Sequence, residues 1–282
     1  ELNKKTNQLF LKRPKHILVI RLSAMGDVAM TIPVLRVFRH TYPEVELTVV
    51  SKPGLQPLFQ DLENTTFLPA EVYGKHKGLG LLQLAKEAKK LGVDAVADLH
   101  GVIRSKIITS YFSLQGVSTA AIDKGRSEKK ALTNHPETLQ RLPSTHQRYA
   151  DVFAKLGLPL QLKEHQYPNK EKLDTTLYGL IGKHTLKMIG IAPFAAYESK
   201  MYPLDLMKEV VFNLSEEGRY KIYLFGAGKK EVTILKEWEH QFENVINIAG
   251  NVPLAQELAI MSHLDLMVAM DSSHGHLLAL FV

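Results

Sequence analysis

Asp27 closes the stretch R-L-S-A-M-G-D at 21–27, directly after the apolar run at 17–20, and it is the residue of this chain best placed to do chemistry. The run reads as a buried parallel strand, and the segment after it as a helix carrying Ile32, Leu35 and Phe38 on one face. Asp27 therefore falls where open α/β sheets hold their working groups, at the carboxyl end of a strand and the start of a helix. A carboxylate there is favoured by backbone N–H groups and the helix dipole, and it can take a proton from a bound hydroxyl. The same position also suits an N-cap aspartate. Pro33 predicts either a kink or a helix that begins near Thr31.

Three further places fall at the ends of expected strands. In D-L-H-G-V-I-R-S at 98–105, Gly101 permits close backbone approach and Arg104 suits a phosphate or carboxylate, or else a surface pairing with Asp98. His100 reads as a polar loop residue. In A-P-F-A-A-Y-E-S-K-M-Y-P at 192–203, small residues admit a ligand and Lys200 can reach anionic oxygens, although a loop lysine has the same signature. In D-S-S-H-G-H at 271–276, the N–H and hydroxyl donors suit a pyrophosphate, and the alternative is a helix capped by Asp271.

Several chemistries lack their signatures. F-G-A-G-K-K-E at 225–231 has Glu231 where a dinucleotide fingerprint has its third glycine, and it follows the second strand of its series. It fails the phosphate-loop pattern too, with Tyr223 in place of glycine and Lys230 in place of serine or threonine. No D-x-D, H-E-x-x-H or G-x-S-x-G occurs, so neither metal chemistry nor serine hydrolysis is expected.

The elements that must position these residues alternate. Strand-like runs at 17–20, 46–50, 94–98 and 118–122 are followed by a second series at 187–192, 220–225, 244–248 and 264–270. Helical spacing separates them, clearest at 80–91, where Leu81, Leu84, Ala85, Ala88 and Leu91 share a face. Alternation of this kind predicts parallel sheets covered by helices. The polar, proline-punctuated stretch 157–172 reads as a linker, giving an N-terminal domain at 1–166 and a C-terminal domain at 167–282. Both ends of the chain read as cut, and the second domain as incomplete at its C-terminus.

Composition bounds the function. The 282 residues are 45% apolar and 23% charged, as in folded globular proteins, and carry a formal net charge of +6. There is no cysteine, which excludes disulfides and thiolate metal sites. No apolar run reaches the roughly 18 residues of a membrane helix and no secretory signal is visible, so a cytoplasmic location is expected. Basic clusters at Lys4, Lys5, Lys12, Arg13 and Lys15, and at Lys124, Arg126, Lys129 and Lys130, suit phosphorylated substrates or an anionic leaflet, with a solvated loop or terminus as the plain alternative. They lack the interleaved aromatics of nucleic-acid binders.

Together the four places resemble glycosyltransferase family 9, the ADP-heptose:lipopolysaccharide heptosyltransferases, from about His16 onward. R-L-S-A-M-G-D-V with Pro33 and Y-P at 42–43 is the most specific match. D-L-H-G-V-I-R-S is similar to D-L-Q-G-x-x-x-S with His100 for glutamine, E-S-K-M-Y-P to K-x-W-P with Tyr202 for tryptophan, and D-S-S-H-G-H to D-[ST]-G-x-x-H with Ser273 for glycine. The resemblance implies a GT-B α/β enzyme of two Rossmann-like doubly wound domains facing a cleft. It would move heptose from ADP-heptose, with inversion and without metal or cofactor, to a phosphorylated, Kdo-bearing lipid A type acceptor of the inner core, in peripheral contact with the inner membrane. By the same resemblance Asp27 is the general base, and Lys200 binds the diphosphate and stabilises departing ADP. Ser199, Glu231, Asp271, Ser272 and Ser273 hold the donor, and His276 supports their loop. Ser23, Gly26, Arg104, Lys124 and Arg126 meet the acceptor. Two other readings use the same residues: a non-catalytic ADP-sugar-binding fragment, and a nucleotide-dependent oxidoreductase or epimerase, which the missing third glycine disfavours.

Overall fold

A computed structural model describes residues 13–134, 140–163, 166–182 and 185–281. The chain divides into two compact units, Glu1–Gln166 and Tyr167–Val282. Among its described residues, the stretch 157–172 contains no helix or strand, and the division between units falls inside it.

In the first unit five described parallel strands run in the order β3-β2-β1-β4-β5. They are β1 (His16–Ile20), β2 (Glu46–Ser51), β3 (Thr65–Pro69), β4 (Ala95–Asp98) and β5 (Ser118–Ala121). Central β1 is apolar throughout its last four residues because both faces are covered, and all four are fully buried. Strand β3 was not expected. Its T-T-F-L-P sequence lies on an edge and is only half-buried, so it lacks the continuous apolar run that marks a central strand. Helices α1 (Met25–Ala29) and α2 (Ile32–Thr41) follow β1, and Thr31 with Pro33 sets the start of α2. As expected, Ile32, Leu35 and Phe38 are buried. Helix α3 (Gly80–Lys90) buries Leu81, Leu84, Ala85 and Ala88, but Leu91 lies beyond its end and is 42% exposed, so the inward face is one residue shorter than its spacing suggests. Helices α4 (Ile103–Ser113), α5 (Arg126–Asn134) and α6 (Thr145–Lys155) complete this unit.

The second unit has four described parallel strands in the order β8-β7-β6-β9, namely β6 (Lys187–Ala192), β7 (Tyr220–Leu224), β8 (Val245–Asn247) and β9 (Leu266–Ala269). Helices α7 (Thr175–Ile181), α8 (Leu204–Glu216), α9 (Lys229–Gln241), α10 (Leu254–Met261) and α11 (Ser273–Leu278) accompany them. Its core joins Ile189, Ile191, Leu224, Leu235 and Trp238. In both units the first strand has the second on one side and the fourth on the other. Chain direction across the sheet thus reverses between β1 and β4, and between β6 and β9, and such switch points open a crevice beyond the strand ends.

Candidate active site

Asp27 stands at the first switch point, but not as an N-cap. It is the third residue of α1, and its Oδ2 reaches back to the backbone N–H of Ala24 at 3.3 Å. The same oxygen pairs with Arg21 Nη2 at 2.6 Å. Both contacts thus fall on Oδ2, and Oδ1 has no protein partner among the described residues while the side chain is 43% exposed.

Arg21 was not singled out by the motif reading, although a charged residue ending a fully apolar strand was the available signal. It is buried, donates from Nη1 to the carbonyl of Leu99 at 2.9 Å, and lies 5.9 Å from the ring centre of Tyr149. Tyr149, buried on α6, donates its hydroxyl to the carbonyl of Asp27 at 3.3 Å. Burial pushes its phenol up to about 12 despite the adjacent Arg21 charge, so it remains a donor. Arg21 and Tyr149 therefore brace the turn that displays Asp27.

Across the switch point, Asp98 ends β4 and accepts three hydrogen bonds, from the N–H groups of His100 and Gly101 at 2.9 and 2.8 Å and from Ser105 Oγ at 2.8 Å. Asp98 is thus committed to its own turn and does not pair with Arg104, whose guanidinium instead lies 5.2 Å from the exposed Tyr73 ring. Gly101 takes φ +60°, and a Cβ there would sit 3.0 Å from Ile122 Cγ2, so glycine is favoured by both conformation and space. Ser23, His100, Gly101, Arg104, Lys106 and Arg126 line a concavity of about 690 Å³. Lys124 lies against Gly101, and burial beside Arg21 and Arg126 lowers its ammonium from the ordinary value. Of the expected acceptor residues, Ser23, Arg104 and Arg126 thus share one wall and Lys124 adjoins it. Gly26 does not. It is buried inside α1, where its carbonyl accepts from Met30 N–H. In the N-terminal basic cluster, Lys4, Lys5 and Lys12 lie outside the described residues.

In the second unit the turn after β6 and the turn after β9 meet through Lys200 and Asp271, whose Nζ and Oδ2 are 2.5 Å apart. Lys200 ends a short 3-10 turn (Glu198–Lys200) that also carries exposed Ser199. The Lys200 ammonium holds the Asp271 carboxyl below its usual range. Asp271 is therefore not the helix cap. That position belongs to Ser272, whose Oγ makes no capping bond and is buried without a protein partner among the described residues. Ser273 is the first residue of α11. The histidine that ties this helix down is buried His274, 3.3 Å from Glu257 on α10, whereas His276 contributes to Asp271 no more than a minor electrostatic influence. Glu231, third in α9, accepts from the N–H of Ala227 at 2.8 Å and braces the turn at Gly226 and Gly228, where a dinucleotide fingerprint would have glycine. Among the described residues, no group of three or more His, Asp or Glu side chains is gathered to hold a metal ion.

Two doubly wound parallel α/β units, each with charged side chains collected at its switch point, define the class of α/β protein in which such crevices beyond the strand ends are the usual ligand sites. The chain belongs to glycosyltransferase family 9 (heptosyltransferase), whose profile matches residues 81–280, and it is a glycosyltransferase. It is 23% identical over 279 residues to the lipopolysaccharide core heptosyltransferase OpsX of Haemophilus influenzae, covering 95% of this chain and 77% of that one. Lipopolysaccharide heptosyltransferase 1 of Campylobacter coli is 25% identical over 281 residues, with 93% and 80% covered. Among solved structures, a family 9 glycosyl transferase from Veillonella parvula superposes with a TM-score of 0.74 at 22% identity, covering 95% of this chain and 79% of the other. The E. coli ADP-heptose lps heptosyltransferase II gives 0.68 at 19%, with 94% and 82% covered. These two likenesses concern the fold.

Proposed function

We propose that this chain is a GT-B lipopolysaccharide heptosyltransferase that transfers heptose from ADP-heptose, by single displacement and without metal, to a phosphorylated, Kdo-bearing lipid A type acceptor. The first unit takes the acceptor and the second the donor. The observation that carries this reading is the state of Asp27: Oδ2 is fixed by Arg21 and by the Ala24 N–H, while Oδ1 is open at the switch point. A carboxylate held by one oxygen and open at the other is built to accept a proton.

In the reaction, the acceptor hydroxyl oxygen forms a bond to the anomeric carbon as its proton passes to Asp27. The bond from that carbon to the β-phosphate oxygen breaks, and ADP leaves with the electron pair. Attack opposite the leaving group inverts the anomeric centre. Lys200 carries the positive charge that offsets the charge developing on the departing diphosphate, the role a divalent cation serves elsewhere. Asp271 keeps the Lys200 ammonium in place before the donor arrives, and the unpartnered hydroxyl of Ser272 is a donor for a phosphate or sugar oxygen. Arg104, Arg126 and Lys124 supply positive charge for the phosphates and carboxylates of the acceptor. Peripheral contact with an anionic inner-membrane leaflet and a cytoplasmic location belong to the same proposal.

Asp27→Asn tests it, because asparagine keeps the size of the side chain and an oxygen for Arg21 and Ala24. Turnover is expected to fall about 10²–10⁴-fold, with ADP-heptose binding by calorimetry essentially unchanged. Lys200→Ala is expected to weaken donor binding and lower turnover by about 10²-fold or more. Transfer should persist in excess chelator. Normal turnover in Asp27→Asn overturns the base assignment, and donor binding with no product from the wild-type chain would favour a non-catalytic sugar-nucleotide binder.

A further inference from the structure

His100 reads in the sequence as a loop residue, yet the structure immobilises it more tightly than a loop requires. Asp98 fixes its backbone N–H, and Gly101 with φ +60° sets the direction of the turn. Its ring Nδ1 faces the backbone N–H of Leu22 at 3.4 Å, so Nδ1 is the acceptor and a neutral ring carries its proton on Nε2. The ring thus links the turn after β4 to the turn after β1 that carries Asp27. Nε2 has no protein partner among the described residues and is not sealed from solvent, and the side chain lines the concavity that also holds Ser23, Arg104 and Arg126. Burial, then the charges of Arg21 and Lys124, lower its pKa to about 4, with Asp27 acting against them and Arg104 with them. The ring is neutral near pH 7 and offers one directed N–H.

We propose that His100 is an acceptor-contacting, specificity-determining residue whose Nε2–H donates to an oxygen of the acceptor sugar, while Nδ1 stays tied to the backbone beside Asp27. This rests on the assignment of the first unit to the acceptor. A single N–H at a fixed position discriminates among sugar hydroxyl and carboxylate oxygens. Arg104 and Arg126, exposed and long, attract negative charge without fixing which oxygen is presented. Because the Leu22 contact ties ring orientation to the Asp27 turn, the sugar oxygen that His100 holds is placed relative to the base.

The test combines ¹⁵N-histidine NMR with steady-state kinetics, using a deacylated Kdo-bearing glycolipid as the acceptor. The His100 ring is expected as the Nε2–H tautomer, not titrating down to about pH 5, with its Nε2 signal moving when the acceptor is added. His100→Leu should raise the acceptor KM about tenfold, the cost of one lost hydrogen bond, and leave the donor KM within about twofold. His100→Gln, which also offers one acceptor and one donor, should recover most of the loss. A ring protonated on Nδ1, an unchanged acceptor KM in His100→Leu, equal damage to both KM values, or no recovery in His100→Gln overturns the inference while transfer stands. A wild-type chain that neither transfers heptose nor shifts the Nε2 signal with acceptor overturns both. A shifted Nε2 signal without transfer supports acceptor contact and overturns only the reaction.

Discussion

Arg21 fixes one carboxylate oxygen of Asp27, the proposed base. The guanidinium is buried and the carboxylate is 43% exposed, so the pair sits at the boundary between the interior and the site. Removing the acid entirely would leave a buried cation supported by the carbonyl of Leu99 and the ring of Tyr149 but by no paired carboxylate. For that reason the informative variant is the amide, which separates loss of proton transfer from loss of support. His100 gives a second prediction at this scale. Its folded pKa of about 4 lies below the ordinary 6.5, so the fold favours the neutral ring. The unfolded chain therefore binds more protons between these values, and stability is lost as pH falls through that window. The urea midpoint of the wild type is expected to drop more between pH 6.5 and 4 than that of His100→Gln, because other titrating groups are common to both. Equal slopes would mean that the ring is not held neutral by its surroundings.

Among the elements, the turns after β1, β4, β6 and β9 carry the residues of the proposed site, and the strands fix where those turns emerge. Close packing beneath them is specific. Gly190, in the middle of β6, has Leu264, Phe225 and Met267 where a side chain would stand, with Leu264 Cδ1 only 2.6 Å from an added Cβ. Gly190→Ala is expected to destabilise the second unit by about 1–3 kcal/mol through overpacking, read as a lower urea midpoint, with the Asp27 turn in the first unit unaffected. An unchanged midpoint would show that Leu264 yields freely. Most strands were legible because buried parallel strands are continuous apolar runs. Edge strand β3 was not, since half-exposed T-T-F-L-P carries no such run and, among the described residues, pairs only with β2.

For the whole molecule, charge is the property that bears on the proposed lipid-bearing acceptor. The chain carries a formal net charge of +6, and Arg104, Lys106 and Arg126 line the concavity beside His100. Among the described residues no helix is long and apolar enough to cross a membrane. If the proposed membrane contact is electrostatic, the protein should sediment with vesicles containing about 30% anionic lipid at low salt and be released by about 0.5 M salt, where charges more than a few ångströms apart are screened. Binding to zwitterionic vesicles, or binding indifferent to salt, would contradict this.

What the sequence determined by itself was the alternation of apolar runs with helical spacing, the division into two units, and the four places where polar residues follow a strand. Those properties are local, written within a few residues of each other by period and by turn chemistry. What the tertiary structure decided was which of those residues meet. Lys200 and Asp271 are 71 positions apart, and Tyr149 reaches the carbonyl of Asp27 across 122. The strand order brings β1 beside β4 and β6 beside β9, and that order is set by the burial of whole sheet faces rather than by any local motif. The same long-range packing turned His100 from a loop residue into a braced donor and placed Arg21 against Asp27.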